Sequence, residues 1–344
     1  MIIAAVVVTV NVFAQQTKEN GIKMYHYKKY QSAAQILEPL AADPVANYYL
    51  GLTYLGQGDA AKASATFSKF PEDPANISGT ARVAFANKDV TRGMAIAKDL
   101  AGKAKKKDWV PQRYAAEAIA YSEGGDYQQA ITWYKDALTK TDDAEVHIGI
   151  GDAFRRIPGG GGEAMTNYEH VAEKDPKNSL AYSRIGDLWY EARNYQSALD
   201  NYAKAKDADN TNPLPYRALS DAFARSGKYQ LALENVKKYF DLSDKTHADK
   251  MDLLRGYYRA QSSCEAAKYA QEMLGSGQLT GEDKIEATGI LGYSQSDCGD
   301  SVEALKNLRV YFQVQKPERI KSGDYIQLGK LYLKLGQLDS AGFF

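Results

Sequence analysis

The chain has 344 residues, and its 43 Lys plus Arg are matched by 43 Asp plus Glu, so the formal net charge is zero. That balance argues against a nucleic-acid-binding surface, which would show a basic excess. Tyr is abundant, 25 residues against 10 Phe and 3 Trp, and rings of this kind serve a core whose edges reach water more often than a stacking platform for sugars or bases.

Residues 2–13 are almost wholly apolar and are followed by Ala14-Gln15-Gln16. Twelve residues are too few to cross a bilayer of about 30 Å as a helix. They fit the apolar region of a secretory signal, with Val12-Phe13-Ala14 as a small-x-small cleavage site. No Lys or Arg precedes the run, so the true signal is expected to start earlier than Met1. Residues 1–14 are therefore read as a signal peptide, and the mature protein as exported to the periplasm or cell envelope. No Cys follows the run, so a lipoprotein anchor is not indicated.

Residues 15–110 hold three helical-hairpin units. Gly21, Met24, Tyr30, Ala33, Leu37 and Leu40 mark the first, closed by Asp43-Pro44. Tyr49, Leu50, Gly51, Tyr54, Gly58, Ala63 and Phe67 mark the second, closed by Asp73-Pro74. Proline after Asp is read as the stop of each second helix. The third, over 75–107, keeps only Ala81, Ala84, Gly93 and Ala97 and ends in Lys103-Ala104-Lys105-Lys106-Lys107, a charge run that suits a solvated helix C-terminus.

Residues 111–246 form the most regular stretch. Tyr114, Tyr121, Tyr127, Ala130 and Tyr134 carry the fourth unit. Ile150, Gly151, Phe154, Ala164 and Tyr168 carry the fifth, whose inter-helix turn runs over Pro158-Gly159-Gly160-Gly161-Gly162. No Gly-Lys-Ser/Thr follows those glycines and no strand precedes them, so a hairpin turn with one inserted residue is expected, not a phosphate loop. The sixth runs from Ser179 to Asn212: Tyr182, Ile185 and Trp189 lie on one helical stripe, and Ala198, Tyr202 and Ala205 on a second. Tyr216, Leu219, Phe223, Tyr229 and Ala232 make the seventh. Over 247–344 the pattern loosens, then restarts with Leu328, Gly329, Tyr332, Gly336 and Ala341 before ending inside a second helix. That ending reads as a piece of a longer protein, because a solenoid needs a finished polar cap.

One phrase ties the units together: Tyr-Gln-x-Ala, at Tyr30–Ala33, Tyr127–Ala130, Tyr195–Ala198 and Tyr229–Ala232. The last two copies are 34 residues apart and the middle two 68, a fixed period of the kind stacked repeats show. The pattern resembles the tetratricopeptide repeat over about residues 15–344. The resemblance implies an all-α, right-handed superhelical solenoid of about nine to ten antiparallel helix–turn–helix hairpins, acting as an interaction scaffold. It also implies that the first helices line a concave groove, facing it with Ile148, Asp152, Arg155 and Arg156, then Ser183, Asp187, Tyr190 and Glu191, then Arg217, Asp221 and Arg225. Asp152, Asp187 and Asp221 would form a ladder, either for a partner or merely in intrahelical pairs with the following Arg, which contribute about 0.2–0.5 kcal/mol each. The family's Lys/Asn clamp for a C-terminal carboxylate is missing from these positions.

Chemistry is not indicated. The four histidines, His26, His147, His170 and His247, are assigned to different repeats without metal-ligand spacing, and no catalytic motif occurs. No catalytic, cofactor or metal residues are expected. Cys264 and Cys298 are 34 residues apart, at the same end of neighbouring hairpins, and are either a disulfide or two free thiols. The expected function is a non-enzymatic envelope scaffold or adaptor that holds a protein partner's peptide or helix in the groove. The alternatives are a glycan- or nutrient-binding protein, and the targeting arm of a longer protein with a C-terminal effector domain.

Overall fold

The computed structural model describes residues 17–105 and 108–337. The expected signal segment, Lys106 and Lys107 of the charge run, and Ala341 of the last unit lie outside the described residues. Nineteen α-helices and no strand are present among those described. The all-α expectation holds, and the helices follow the repeat.

In chain order, first and second helices alternate. They are α1 (Lys18–His26) and α2 (Tyr30–Leu37), α3 (Pro44–Gly56) and α4 (Ala60–Phe67), α5 (Pro74–Ala86) and α6 (Val90–Gly102), α7 (Val110–Ala120) and α8 (Tyr127–Leu138), and α9 (Ala144–Phe154) and α10 (Gly161–Lys174). Then come α11 (Ser179–Glu191) and α12 (Tyr195–Ala208), α13 (Pro213–Arg225) and α14 (Tyr229–Leu242), α15 (His247–Arg259) and α16 (Ser263–Gly275), α17 (Gly281–Cys298) and α18 (Ser301–Val314), and α19 (Ser322–Lys334). The chain divides into two compact units. Among the described residues, the first comprises those up to 193 together with 204–212, and the second comprises 194–203 and those from 213 to 337, so α12 contributes to both.

Local chemistry explains the helix boundaries. Every Tyr-Gln-x-Ala phrase opens a second helix, α2, α8, α12 or α14, and its Ala is buried: Ala33, Ala130, Ala198 and Ala232. Asp43 and Asp73 do not stop the preceding helix, as the sequence suggested. Each is an N-cap whose carboxylate accepts from the first-turn amides of the next helix, Val45 and Ala46 for Asp43 and Asn76 for Asp73. Pro44 and Pro74 then fill the first helical position, where a missing N–H costs nothing. Between the two helices of every pair one residue adopts a left-handed backbone: Lys28, Gly58, Lys88, Gly124, Gly159, Arg193, Gly227, Gln261 and Gly299, and Gly336 follows α19. This recurring reversal is as regular as the side-chain pattern. The glycine-rich turn is shorter than expected, since Gly161 and Gly162 already belong to α10.

Packing in the first unit interlocks large and small residues. Phe67, 1% exposed, lies between Gly51 of α3 and Gly79 of α5, where an added Cβ would come within 2.3 and 2.2 Å of its ring. A continuous core follows from Ala81 to Ile185, holding the fully buried Ile119, Ile131, Ile150 and Tyr168. The 75–107 stretch, poor in landmarks, contributes Ala81, Phe85, Ala97 and Leu100 to it. In the second unit the core is divided, with clusters around Leu233 and Val236, around Met251 and Leu254, and around Leu305 and Leu308.

Candidate functional site

Helix contacts show which face of the first unit is the inner one. First helices touch one another in series, α1 with α3, α3 with α5, α5 with α7 and α7 with α9, whereas the second helices make no comparable pairings among the described residues. A stack whose first helices crowd while its second helices splay must curve toward the first. The curvature brings the end of α12 back to α1: Tyr27 donates to Asp209, and Lys23 Nζ lies 3.5 Å from the same carboxylate.

Charged side chains on this inner face pair between consecutive first helices. Glu117 of α7 accepts from Tyr48 Oη of α3 at 2.6 Å and lies 3.4 Å from Arg82 Nη1 of α5. Arg113 of α7 pairs with Glu145 of α9. Asp152 of α9 accepts from Tyr168 Oη at 2.7 Å and Tyr121 Oη at 3.0 Å, and meets Arg184 of α11 at 2.8 and 3.1 Å. Arg155 reaches Asp187 at 3.3 Å and pairs with Glu191.

These contacts revise the groove as read from sequence. Asp152 is only 8% exposed and is a tie between hairpins, not an open rung. Ile148 is buried in the core. Arg156 lies beyond the end of α9, exposed, with its guanidinium 5.9 Å from the Tyr127 ring centre. Tyr190 is half-buried on α11. Intrahelical pairing has a small part: Asp187 is 3.6 Å from Arg184 Nη1, while Asp152 and Arg155 bond to the next helix. Sequence reasoning missed Arg82, Arg113, Glu117, Glu145 and Arg184; their signal was a charge on one first helix answered 32 or 35 residues away.

The inner face also carries aromatic rings. Tyr25, Tyr49, Tyr48 and Tyr114 pack edge-on in succession, with centroids 5.3–5.5 Å apart. Burial holds the His26 imidazole below its ordinary pKa, against the opposing pull of Glu117. It also lifts the Glu145 carboxyl, against Arg113, and the Tyr121 hydroxyl, with Asp152 adding to the shift. Yet the His26 side chain is exposed, Glu145 is 56% exposed and Tyr121 38%. Groups that keep water contact while surrounded by protein are those that line a concavity.

The second unit repeats the device. Arg217 of α13 is 2.9 Å from Asp252 of α15. Arg255 makes a two-pronged pair with Glu286 of α17 at 2.7 and 2.8 Å. Asp221 borders a cavity of about 50 Å³ with Arg217, Asp252, Arg255 and Arg259. Burial raises its carboxyl, with Asp252 adding to the shift and Arg217, Arg259 and Arg225 opposing it. A space of that size admits water, not a small-molecule ligand, whose sites run to hundreds of Å³. Arg225 ends α13, exposed.

Cys264, at the start of α16, and Cys298, at the end of α17, are bonded, with Cα atoms 5.3 Å apart. Helix axes 8–10 Å apart do not preclude this, because both residues sit at helix ends where the backbone turns. One expectation is corrected: the histidines do not all lie in different repeats. His147 of α9 and His170 of α10 belong to one hairpin, their rings 4.2 Å apart beside Asp142. Burial holds His147 below its usual pKa, and His170 adds to the shift.

Comparison with known proteins bears on the whole array. Residues 160–213 match the family model described as Tetratricopeptide repeat. No curated protein matches the chain. Among solved structures, the C-terminal part of a TPR repeat-containing protein from Cytophaga hutchinsonii superposes with a TM-score of 0.54 at 17% identity, covering 73% of this chain and 99% of that one. A tetratricopeptide repeat protein from Parabacteroides merdae gives a TM-score of 0.45 at 14% identity, over 68% and 90% of the two chains. The segment 160–213 is thus tetratricopeptide repeat by sequence, and the helices around it have the fold of a tetratricopeptide-repeat array.

Proposed function

We propose that the protein is a non-enzymatic, exported interaction scaffold, and that the inner face of its first unit holds an extended peptide or a helix of a protein partner. The observation that carries this is the concave, mixed surface on α1 to α9, where Tyr25, His26, Tyr49 and Tyr114 adjoin the Arg82–Glu117 and Arg113–Glu145 pairs. Rigid, pre-paired charges beside aromatic edges suit a partner of mixed polarity, since little ordering is lost on binding. The rings meet one another edge-on, which leaves few open faces for stacking a sugar. Export is supported by the apolar N-terminal segment and by the bonded Cys264 and Cys298, a combination that fits an oxidising compartment. No described helix is long and apolar enough to cross a membrane.

The test is affinity capture from envelope fractions with the full chain as bait, followed by mass spectrometry. Arg113→Gln with Glu145→Gln should reduce capture of a stoichiometric partner at least about tenfold, the loss of a well-placed pair. Gln128→Lys, on the second helix α8, should leave capture unchanged. Equal capture by all three proteins would sink the inner-face assignment.

A further inference from the structure

The hairpin of α9 and α10 gathers five polar side chains that the interaction surface does not use. Antiparallel packing places the start of α9 beside the end of α10. Asp142, just before α9, and His147 in its first turn therefore meet Asn167, His170 and Lys174, which lie on one stripe of α10. His147 Nε2 and His170 Nε2 are 2.9 and 3.1 Å from the same oxygen, Asp142 Oδ1. Lys174 takes the other carboxylate oxygen.

Hydrogen bonding fixes what these atoms present. Asn167 Nδ2 donates to the Glu163 carbonyl at 2.8 Å, so its Oδ1 faces His147. His147 Nδ1 lies 3.0 Å from that oxygen and must donate to it. A neutral His147 thus carries its proton on Nδ1 and turns the Nε2 lone pair toward Asp142 Oδ1, itself only an acceptor. Two lone pairs 2.9 Å apart need a positive centre between them. A metal-bound histidine characteristically donates its other ring N–H to an oxygen in this manner.

We propose that Asp142 Oδ1, His147 Nε2 and His170 Nε2 bind a divalent ion of the zinc class, with water at the remaining position. The three ligand atoms lie within 4.8 Å of one another. Tetrahedral bonds of about 2.0–2.1 Å put ligand atoms about 3.3 Å apart, so small side-chain movements suffice. Two imidazoles and one carboxylate favour zinc, nickel or copper over magnesium, which prefers an octahedral oxygen shell. The ion would clip the open end of one hairpin, as a structural staple.

Calorimetric titration of the tag-free, disulfide-intact full chain with zinc chloride tests this. Binding of one equivalent is expected, with magnesium neither binding nor competing. His170→Gln, a half-exposed position, should weaken binding by more than about 100-fold, and Asn167→Leu by about 10–100-fold. Lys174→Met should strengthen it by removing a competing cation. His247→Gln, which removes a histidine paired with Asp283 at 2.9 Å in the second unit, should change nothing. Absence of zinc binding by the folded chain overturns the proposal, as does zinc binding unaltered in His170→Gln; in either case a proton occupies the position instead.

Discussion

The stretch from α7 to α11 and the stretch from α15 to α18 solve one problem in two ways. In the first, a continuous core from Ala81 to Ile185 is capped on the inner face by Asp152, which gathers Tyr121, Tyr168 and Arg184. In the second, the core falls into smaller clusters, α17 extends to 18 residues, and a disulfide joins α16 to α17. A stacked array is held only by nearest-neighbour interfaces. Where small and large residues alternate regularly, packing and buried polar ties are enough. Where the pattern loosens, a covalent link supplies what packing does not.

Removing Asp152 should be the most damaging change. Asp152→Ala leaves two tyrosine hydroxyls without their acceptor and the Arg184 guanidinium with only the longer contact to Asp187, at a cost of about 3–5 kcal/mol. Hydrogen exchange read helix by helix should show protection lost in α7 to α11 and kept in α15 to α18. Uniform loss along the chain would mean that the network does not act locally.

Cys264→Ser with Cys298→Ser should cost about 3–4 kcal/mol, the loop-closure value for a span of this length, and the loss should fall on α15 to α18. Chemical denaturation with and without reductant measures it. Should reduction leave the midpoint unmoved, the clusters around Met251 and Leu305 would be self-sufficient and the contrast would collapse.

The smallest effect concerns acid. The folded pKa of His26 lies below its unfolded value, so the unfolded chain binds the proton more readily. Stability should therefore fall as pH drops from 7 toward 5, through the unfolded pKa. His26→Gln should flatten that part of the stability–pH curve for the first unit. An unchanged slope would assign the acid sensitivity to other groups and weaken the case for concavity around His26.

Much of this was legible in the sequence. Tyr-Gln-x-Ala marks second-helix starts because a helix opening is decided within a few residues, and its alanines, Ala33, Ala130, Ala198 and Ala232, all fall at buried positions of those helices. The hairpin at 75–107 was harder to read, since Phe85 and Leu100 do its packing at positions the pattern does not name. The recurring left-handed turns were legible only where Gly stands there; Lys28, Lys88, Arg193 and Gln261 hide the same geometry.

The sequence by itself determined the local order: which segments are helical, where each starts, and that they pair with a period near 34 residues. The pairings made at a distance were decided only by the tertiary structure. Asp152 looked like an open groove position until stacking set it against Arg184, and His147 seemed unrelated to His170 until antiparallel packing brought their rings together. The reason is physical. Helix propensity and capping act over one turn of chain, whereas the partner of a charge on a repeat's face is fixed by the angle at which the next repeat is stacked.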